Sequence, residues 1–158
     1  MYCPVEVQQR VFRKQLMLAE ELNLPVVMHS REAETDTLNI LKEIPVKSLG
    51  VAHSFTSSFE MARALVEMGW YLGINGIVTF KNAEDLREVV RWLPLEKMLL
   101  ETDSPFLTPV PFRGKPNKPV HIPVIATFIA ELRDISLQEL AEQTNENAQR
   151  LFKLPHES

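Results

Sequence analysis

Three residues of types that bind metal ions follow short apolar runs in this 158-residue chain. His29 comes after Val-Val-Met, His53 after Gly-Val-Ala, and Asp103 after Leu-Leu-Glu-Thr. Neutral imidazole and carboxylate groups together suit zinc, manganese and other divalent ions. A single histidine beside an apolar run is more often a hydrogen-bonded core residue, but the same placement after three runs favours a metal site. We therefore predict that His29, His53 and Asp103 are metal ligands.

Glu101 precedes Asp103 by two residues and so shares its side of a strand. A buried carboxylate needs a partner, and two remain open: the ring N–H of a ligand histidine, or an Arg or Lys in a structural ion pair. Asp103 and Glu101 are the candidate catalytic carboxylates. Because a bound divalent ion can lower the pKa of water to about 7, hydrolysis is the predicted chemistry.

The segment from Ser104 to Pro123 is the candidate substrate surface. It is a loop with six of the eleven prolines, and no acidic residue occurs between Ser104 and Glu131. If this loop overhangs the metal site, its positive charge suits a phosphate-bearing substrate, and a solvated surface is the equally weighted alternative. The predicted substrate-binding residues are Arg31, Arg113 and Lys115, with Lys81 and Lys118 on the same edge.

Other side chains near this edge have less specific interpretations. Phe80, Phe106 and Phe112 could stack on nucleic-acid bases, although buried anchors of the loop are the favoured interpretation. The remaining histidines, His121 and His156, are expected to be solvated.

Four short apolar runs alternate with segments of helical periodicity. We expect strands at 25–29, 48–53, 70–74 and 98–102, and helices at 5–22, 32–43, 58–68, 83–92, 122–133 and 136–152. This alternation predicts βα units and a parallel sheet, with the predicted ligands at the carboxyl ends of the strands. Because the runs are continuously apolar, both faces of the sheet should be buried, as in a barrel wall or a doubly wound sheet.

Composition is that of an ordinary globular α/β domain. The chain is 45% hydrophobic and 24% charged, with a net charge of −4, which excludes disordered and collagen-like classes. Cys3 is the sole cysteine, so no intrachain disulfide can form. No apolar run reaches the ~18 residues of a membrane helix, and the first residues lack signal-peptide character, so a cytoplasmic location is expected.

Several stretches together resemble the TatD family of metal-dependent deoxyribonucleases. They are residues 21–31 (ELNLPVVMHSR), 53–56 (HSFT), 73–82 (GINGIVTFKN), 101–111 (ETDSPFLTPVP), 113–117 (RGKPN) and 147–152 (NAQRLF). The resemblance implies a TIM-type (β/α)8 barrel, a two-metal centre loaded with Mg, Mn or Zn, and hydrolysis of phosphodiester bonds in DNA. It also implies that His29 and His53 serve one metal and Asp103 the other.

The chain departs from the family pattern in lacking a His-x-His strand and a bridging glutamate. A complete barrel needs about 200 to 250 residues, so the resemblance implies that residues 1–158 are one TatD-like domain truncated at its N-terminus by about 100 residues. The expected fold is the second half of the barrel, with four parallel strands and flanking helices. Open strand edges favour association, either with a complementing N-terminal half or as a catalytically inactive homo-oligomeric binding module.

Overall fold

A computed structural model describes residues 3–47 and 49–155 of the chain. Its centre is a parallel sheet of four strands in the order β1-β2-β3-β4. The strands are β1 (Val26–Met28), β2 (Gly50–Ala52), β3 (Tyr71–Ile74) and β4 (Met98–Leu100). The predicted α/β fold with a parallel sheet is therefore confirmed. The strands are shorter than expected: β1 and β2 at both ends, β3 at its amino end and β4 at its carboxyl end.

Helices connect and flank these strands, as the crossover between parallel neighbours requires. They are α1 (Val5–Leu22), α2 (Glu34–Glu43), α3 (Phe59–Glu67), α4 (Glu84–Trp92), α5 (Ile122–Arg133) and α6 (Leu137–Phe152). Serine side chains cap two helices: the Ser58 hydroxyl accepts the Met61 N–H at α3, and the Ser136 hydroxyl accepts the Glu139 N–H at α6. Such caps satisfy backbone donors that the first helical turn leaves unpaired.

The two faces of the sheet are buried by different parts of the chain. Because side chains alternate along a strand, one face contributes to the large core shared with the helices, through Met28, Ala52, Leu72, Ile74 and Met98. The opposite face has a small cluster in which the end of α6 covers the middle of the sheet. Its buried members are Val51, Tyr71, Leu99 and Leu151.

The edge strand β1 differs from the expectation that both faces are buried. Val27 is 60% exposed, whereas every residue of β2 and β3 is buried. The expectation is wrong for β1 because the small cluster that covers this face of the sheet does not extend across it. A cleft of about 940 Å³ lies here, lined by α1, β1 and the segment that follows β1.

Helix α1 is attached to the body by few contacts. Leu16 is its one buried residue. An ion pair with a 2.9 Å contact joins Arg13 to Glu43 of α2, and the Lys153 ammonium donates to the Asn23 carbonyl just after the helix. In the part of the chain that the structure describes, no helix combines the length and apolar character needed to cross a membrane.

Candidate functional site

The loops that follow β2 and β4 bring His53, Glu101 and Asp103 together at the carboxyl edge of the sheet. His53 Nδ1 lies 2.9 Å from Glu101 Oε2, and His53 Nε2 lies 3.4 Å from Asp103 Oδ1. All three side chains are partly buried. The imidazole is thus held between two carboxylates that come from the same chain segment.

Glu101 determines which ring nitrogen of His53 carries the proton. An ionised carboxylate only accepts hydrogen bonds, so the 2.9 Å contact with Glu101 Oε2 favours the proton on Nδ1 as the donor. In the neutral ring this leaves the lone pair on Nε2, which lies 3.4 Å from Asp103 Oδ1. Of the two roles left open for Glu101, the structure contains the contact with the histidine. Among the described residues, no Arg or Lys forms an ion pair with it.

The second oxygen of Glu101 is held by the backbone. Glu101 Oε1 accepts the Ser54 N–H at 2.6 Å, so adjacent residues of one loop bind both carboxylate oxygens. Ser54 has a φ of 51° and Asp103 a φ of 58°. Residues other than glycine rarely adopt this left-handed region, and such strained positions cluster at functional sites.

Space for the Glu101 side chain comes from Gly73 in β3. A β-carbon at this glycine would overlap the Glu101 carboxylate. Glu101 follows β4 and His53 follows β2, so the carboxylate reaches its partner by passing over β3. Sequence reasoning missed Gly73. The available signal was a glycine inside an apolar strand, which often marks a close approach by another group.

Asn75, which follows β3, is a second residue that sequence reasoning missed. Its side chain is only 2% exposed, and its Nδ2 donates to the Ser54 hydroxyl at 2.8 Å. Its Oδ1 accepts the Ile77 N–H at 3.1 Å. The amide therefore joins the loop after β3 to the residue that binds Glu101.

His29 lies beside this group at the end of β1. Its ring centroid is 6.1 Å from that of His53, and the residue is exposed. It also lines the cleft along β1, whereas His53, Glu101 and Asp103 do not. The structure thus brings His29 close to the other two predicted ligands without a direct contact with Asp103.

The donor chemistry of this site fits a divalent metal ion. A metal-binding histidine usually donates its other ring N–H to a carboxylate or carbonyl, which is the arrangement at His53. The remaining donors are the Asp103 carboxylate and the His29 imidazole. Within residues 3–47 and 49–155, no three His, Cys, Asp or Glu side chains converge into a complete metal-binding group. Among the described residues, His29, His53 and Asp103 therefore do not make a complete metal site.

The basic loop is anchored next to this site. Asn117, 3% exposed, donates from Nδ2 to the carbonyl of Thr102, the residue before Asp103. The Arg113 guanidinium lies 3.9 Å from the centroid of the Phe80 ring, beyond β3, and also donates to the loop's own Thr108 carbonyl. The loop that contains Arg113 is therefore fixed to the segments that follow β3 and β4.

The other two predicted substrate-binding residues are on the surface. Lys115 is exposed, and its carbonyl accepts the Thr108 hydroxyl. Arg31 is also exposed and lies 3.9 Å from Glu32, a loose contact in water. Both cations are available to solvent and to a charged ligand.

Two expectations about ring side chains of this loop are wrong, namely that its phenylalanines are buried anchors and that His121 is solvated. Phe106 is 67% exposed and Phe112 is 37% exposed, so neither is a buried anchor, while Phe80 is partly buried. His121 is not simply solvated, because Nδ1 bonds Asn117 Oδ1 at 2.8 Å and the ring stacks on Phe112. The loop folds on itself through polar and ring contacts, which apolar patterning does not report. His156 lies outside the described residues.

Comparison with known proteins gives consistent matches along nearly the whole chain. The family model described as TatD related DNase matches residues 2–153. An uncharacterized metal-dependent hydrolase of Bacillus subtilis, YabD, is 47% identical over 96% of this chain and 60% of its own length. The deoxyribonuclease Tat-D of Schizosaccharomyces pombe is 41% identical over 93% of this chain and 55% of its own length.

The fold also matches a solved structure. The crystal structure of YjjV, a TatD homologue from Escherichia coli, superposes with a TM-score of 0.90 at 35% identity. That match covers 95% of this chain and 58% of the other. The chain thus spans between 55% and 60% of the length of these three proteins.

Proposed function

The chain belongs to the family of TatD-related DNases, and from this premise we propose that it acts in the metal-dependent hydrolysis of phosphodiester bonds in DNA. Relatives named metal-dependent hydrolases and one named deoxyribonuclease support the proposal. The observation that carries it is the Glu101–His53–Asp103 contact, because it leaves an imidazole nitrogen available beside a carboxylate.

The described residues have separate roles in this proposal. His29, His53 and Asp103 would hold divalent ions, two in the complete site, while Glu101 orients the His53 ring. Bound divalent ions polarise a phosphoryl oxygen and lower the pKa of water to about 7. Arg31, Arg113 and Lys115 supply positive charge at the loops around this edge, which favours an anionic DNA backbone.

The same proposal includes a TIM-type barrel whose metal site is completed by another polypeptide segment. Consecutive parallel strands that are spatial neighbours are what the wall of a TIM-type barrel requires. Because no complete metal-binding group lies within residues 3–47 and 49–155, we propose that full activity needs further ligands supplied by another polypeptide segment, and that Mg, Mn or Zn binds the present residues weakly.

Metal binding by the purified chain is the direct test. We expect Mn²⁺ to bind in calorimetry and His53→Ala to weaken that binding about tenfold or more. The unfolding temperature should change little because His53 follows the strand rather than filling the core. Asn39→Ala, on an exposed position of α2, is the matched control. Wild-type chain without any metal uptake, or unfolding caused by His53→Ala, would show that His53 is instead a structural residue.

The substrate is tested separately with Mn²⁺ or Mg²⁺ present. Cleavage of end-labelled single-stranded DNA, compared with a chromogenic phosphodiester, distinguishes a nuclease from a hydrolase of small phosphoesters. Turnover of the small ester alone would contradict the DNA assignment. Cleavage that persists in His53→Ala would contradict the assigned site.

A noncatalytic, self-associating module is the second candidate. It is favoured by exposed apolar residues along α1 and β1 and the connection between them: Val11, Leu18, Leu22, Leu24 and Val27. Burial of such a surface stabilises association by about 25 cal/mol per Å² before the costs of ordering. Sedimentation should then show oligomers that Val27→Lys dissociates. A monomer at micromolar concentration would contradict this candidate.

A further inference from the structure

A chain of partly buried hydrogen bonds leads from Asn75 to the His53 ring. The Asn75 amide donates to the Ser54 hydroxyl at 2.8 Å, and the Ser54 N–H donates to Glu101 Oε1 at 2.6 Å. Glu101 Oε2 then accepts from His53 Nδ1 at 2.9 Å. The three contacts connect the loops that follow β3, β2 and β4, so no single segment orients the imidazole.

The Asn75 side chain can adopt only one orientation of its amide. Its Oδ1 accepts the Ile77 N–H at 3.1 Å, which leaves Nδ2 as the atom facing Ser54. With 2% exposure, Asn75 has little access to water. Loss of a buried partner leaves a polar group unpaired, which is costly, so this amide has a strong preference for its present geometry.

Ser54 needs such an anchor because of its backbone. Its φ of 51° lies in the left-handed region, which a residue with a β-carbon enters at a cost. The same conformation directs the Ser54 N–H at Glu101. Without the hydroxyl anchor, Ser54 would be expected to relax toward a negative φ and turn its N–H away from the carboxylate.

We infer that Asn75 is a positioning residue: through Ser54 and Glu101 it fixes His53 in the tautomer that carries its proton on Nδ1 and leaves Nε2 free for a metal ion. The inference rests on the proposed function for the role of Nε2. The orientation of the ring itself depends on the hydrogen bonds that join Asn75, Ser54, Glu101 and His53, and it can be tested without metal.

The test is ¹⁵N NMR of the histidine rings in the metal-free chain, recorded over a pH series so that the spectrum of the neutral ring is identified and used. The two ring nitrogens have distinct shifts, so the protonated one is identified directly. We expect the Nδ1–H tautomer of His53 in the wild type and a mixture of both tautomers in Asn75→Ala and in Ser54→Ala. Ser54→Ala keeps the Asn75–Ile77 contact, so it separates the Ser54 link from local folding of the β3 loop.

Ser54→Gly provides a rescue that a merely structural role of Asn75 would not produce. Glycine enters the left-handed region freely, so Ser54→Gly should keep the Nδ1–H tautomer without any hydroxyl. The double variant Asn75→Ala with Ser54→Gly should be closer to the wild type than Asn75→Ala alone. In parallel, Mn²⁺ should bind about tenfold more weakly to Ser54→Ala and near normally to Ser54→Gly.

Three results would overturn the inference. They are a wild-type ring protonated on Nε2, an Asn75→Ala chain with the wild-type tautomer, and a Ser54→Ala chain indistinguishable from the wild type while Asn75→Ala is altered. If the tautomers change as expected but the wild-type chain binds no Mn²⁺, the proposed metal function fails and the positioning of His53 stands.

Discussion

At the scale of single residues, the site depends on a side chain that is absent. Gly73 leaves room above β3 for the Glu101 carboxylate, which would otherwise be blocked from reaching His53. The roles of His53 and Glu101 are therefore determined partly by a residue with no chemistry of its own.

Gly73→Ala should separate Glu101 from His53. The added methyl group overlaps the carboxylate, so either the carboxylate moves or β3 shifts. We expect an Mn²⁺ affinity at least about tenfold lower, comparable to loss of a group that orients a ligand, as measured by calorimetry.

The control for this substitution is Gly114→Ala. No atom lies within 4 Å of the position where its β-carbon would be, so only the strain of its φ of 84° is added. A Gly73→Ala chain that binds metal as well as Gly114→Ala would contradict the role assigned to Gly73.

At the scale of elements, α4 connects the turn after β3 to the helical layer. Arg87 donates to the carbonyls of Val78 and Phe80 in that turn, and to Glu84 at the start of its own helix. Phe80 in turn lies against Arg113 of the basic loop. Helix α4 thus supports the segment on which part of the candidate substrate surface rests.

Because Glu84 is charged, the stability of α4, which holds the turn after β3, should depend on pH. Hydrogen bonds from Arg91, and next from Arg87, hold the pKa of the Glu84 carboxyl below its usual value of 4.5. A carboxyl whose pKa is lower in the folded state than in the unfolded state stabilises the fold at pH values above its unfolded-state pKa. That contribution is lost as the pH falls from 4.5 through the lowered pKa. The contribution is modest because the groups are exposed to solvent.

Glu84→Gln tests this contribution through thermal unfolding as a function of pH. The unfolding temperature of the variant should be below that of the wild type at pH 7, and the difference should shrink as the pH falls below 4.5. Glu88→Gln, at an exposed position of the same helix, serves as the comparison. A difference that is unchanged across this range would mean that the ion pairs do not stabilise the helix.

At the scale of the whole molecule, burial differs between the central strands and the α1–β1 side. The strands β2 and β3 are buried on both faces, while α1 contributes one buried side chain and the edge strand β1 has an exposed face. Regions with few buried contacts open at lower free energy than the core. We expect α1 and β1 to open before the rest of the sheet.

Leu16→Ala should reveal this difference in local stability. Leu16 is fully buried, and removal of such a side chain costs about 2 to 5 kcal/mol. Hydrogen exchange should accelerate mainly at the amides of α1, with β2 and β3 less affected. Leu18→Ala, on the 46% exposed side of the same helix, should have an effect within about 0.5 kcal/mol. Equal acceleration in α1 and β3 would show that the helix and sheet unfold together.

The sequence predicted the order of elements and the parallel sheet because these depend on local periodicity. Apolar runs such as the one before His53 indicate which residues are buried in strands. The alternation of these runs with helical segments indicates βα units, whose strands are parallel. The placement of His53, Glu101 and Asp103 at one edge follows from the same logic, since the carboxyl ends of parallel strands meet there. The structure confirms the parallel sheet and brings these three side chains together, while their chemical roles stay predictions.

Only the tertiary structure decided which distant atoms touch. The choice of a histidine as the partner of Glu101, the space at Gly73 and the amide of Asn75 all depend on contacts between loops 20 or more residues apart. The exposure of Val27 depends on which elements lie beside the strand. Periodicity along one chain segment carries no information about such contacts, because they are set by how separate segments pack and by where a side chain is absent.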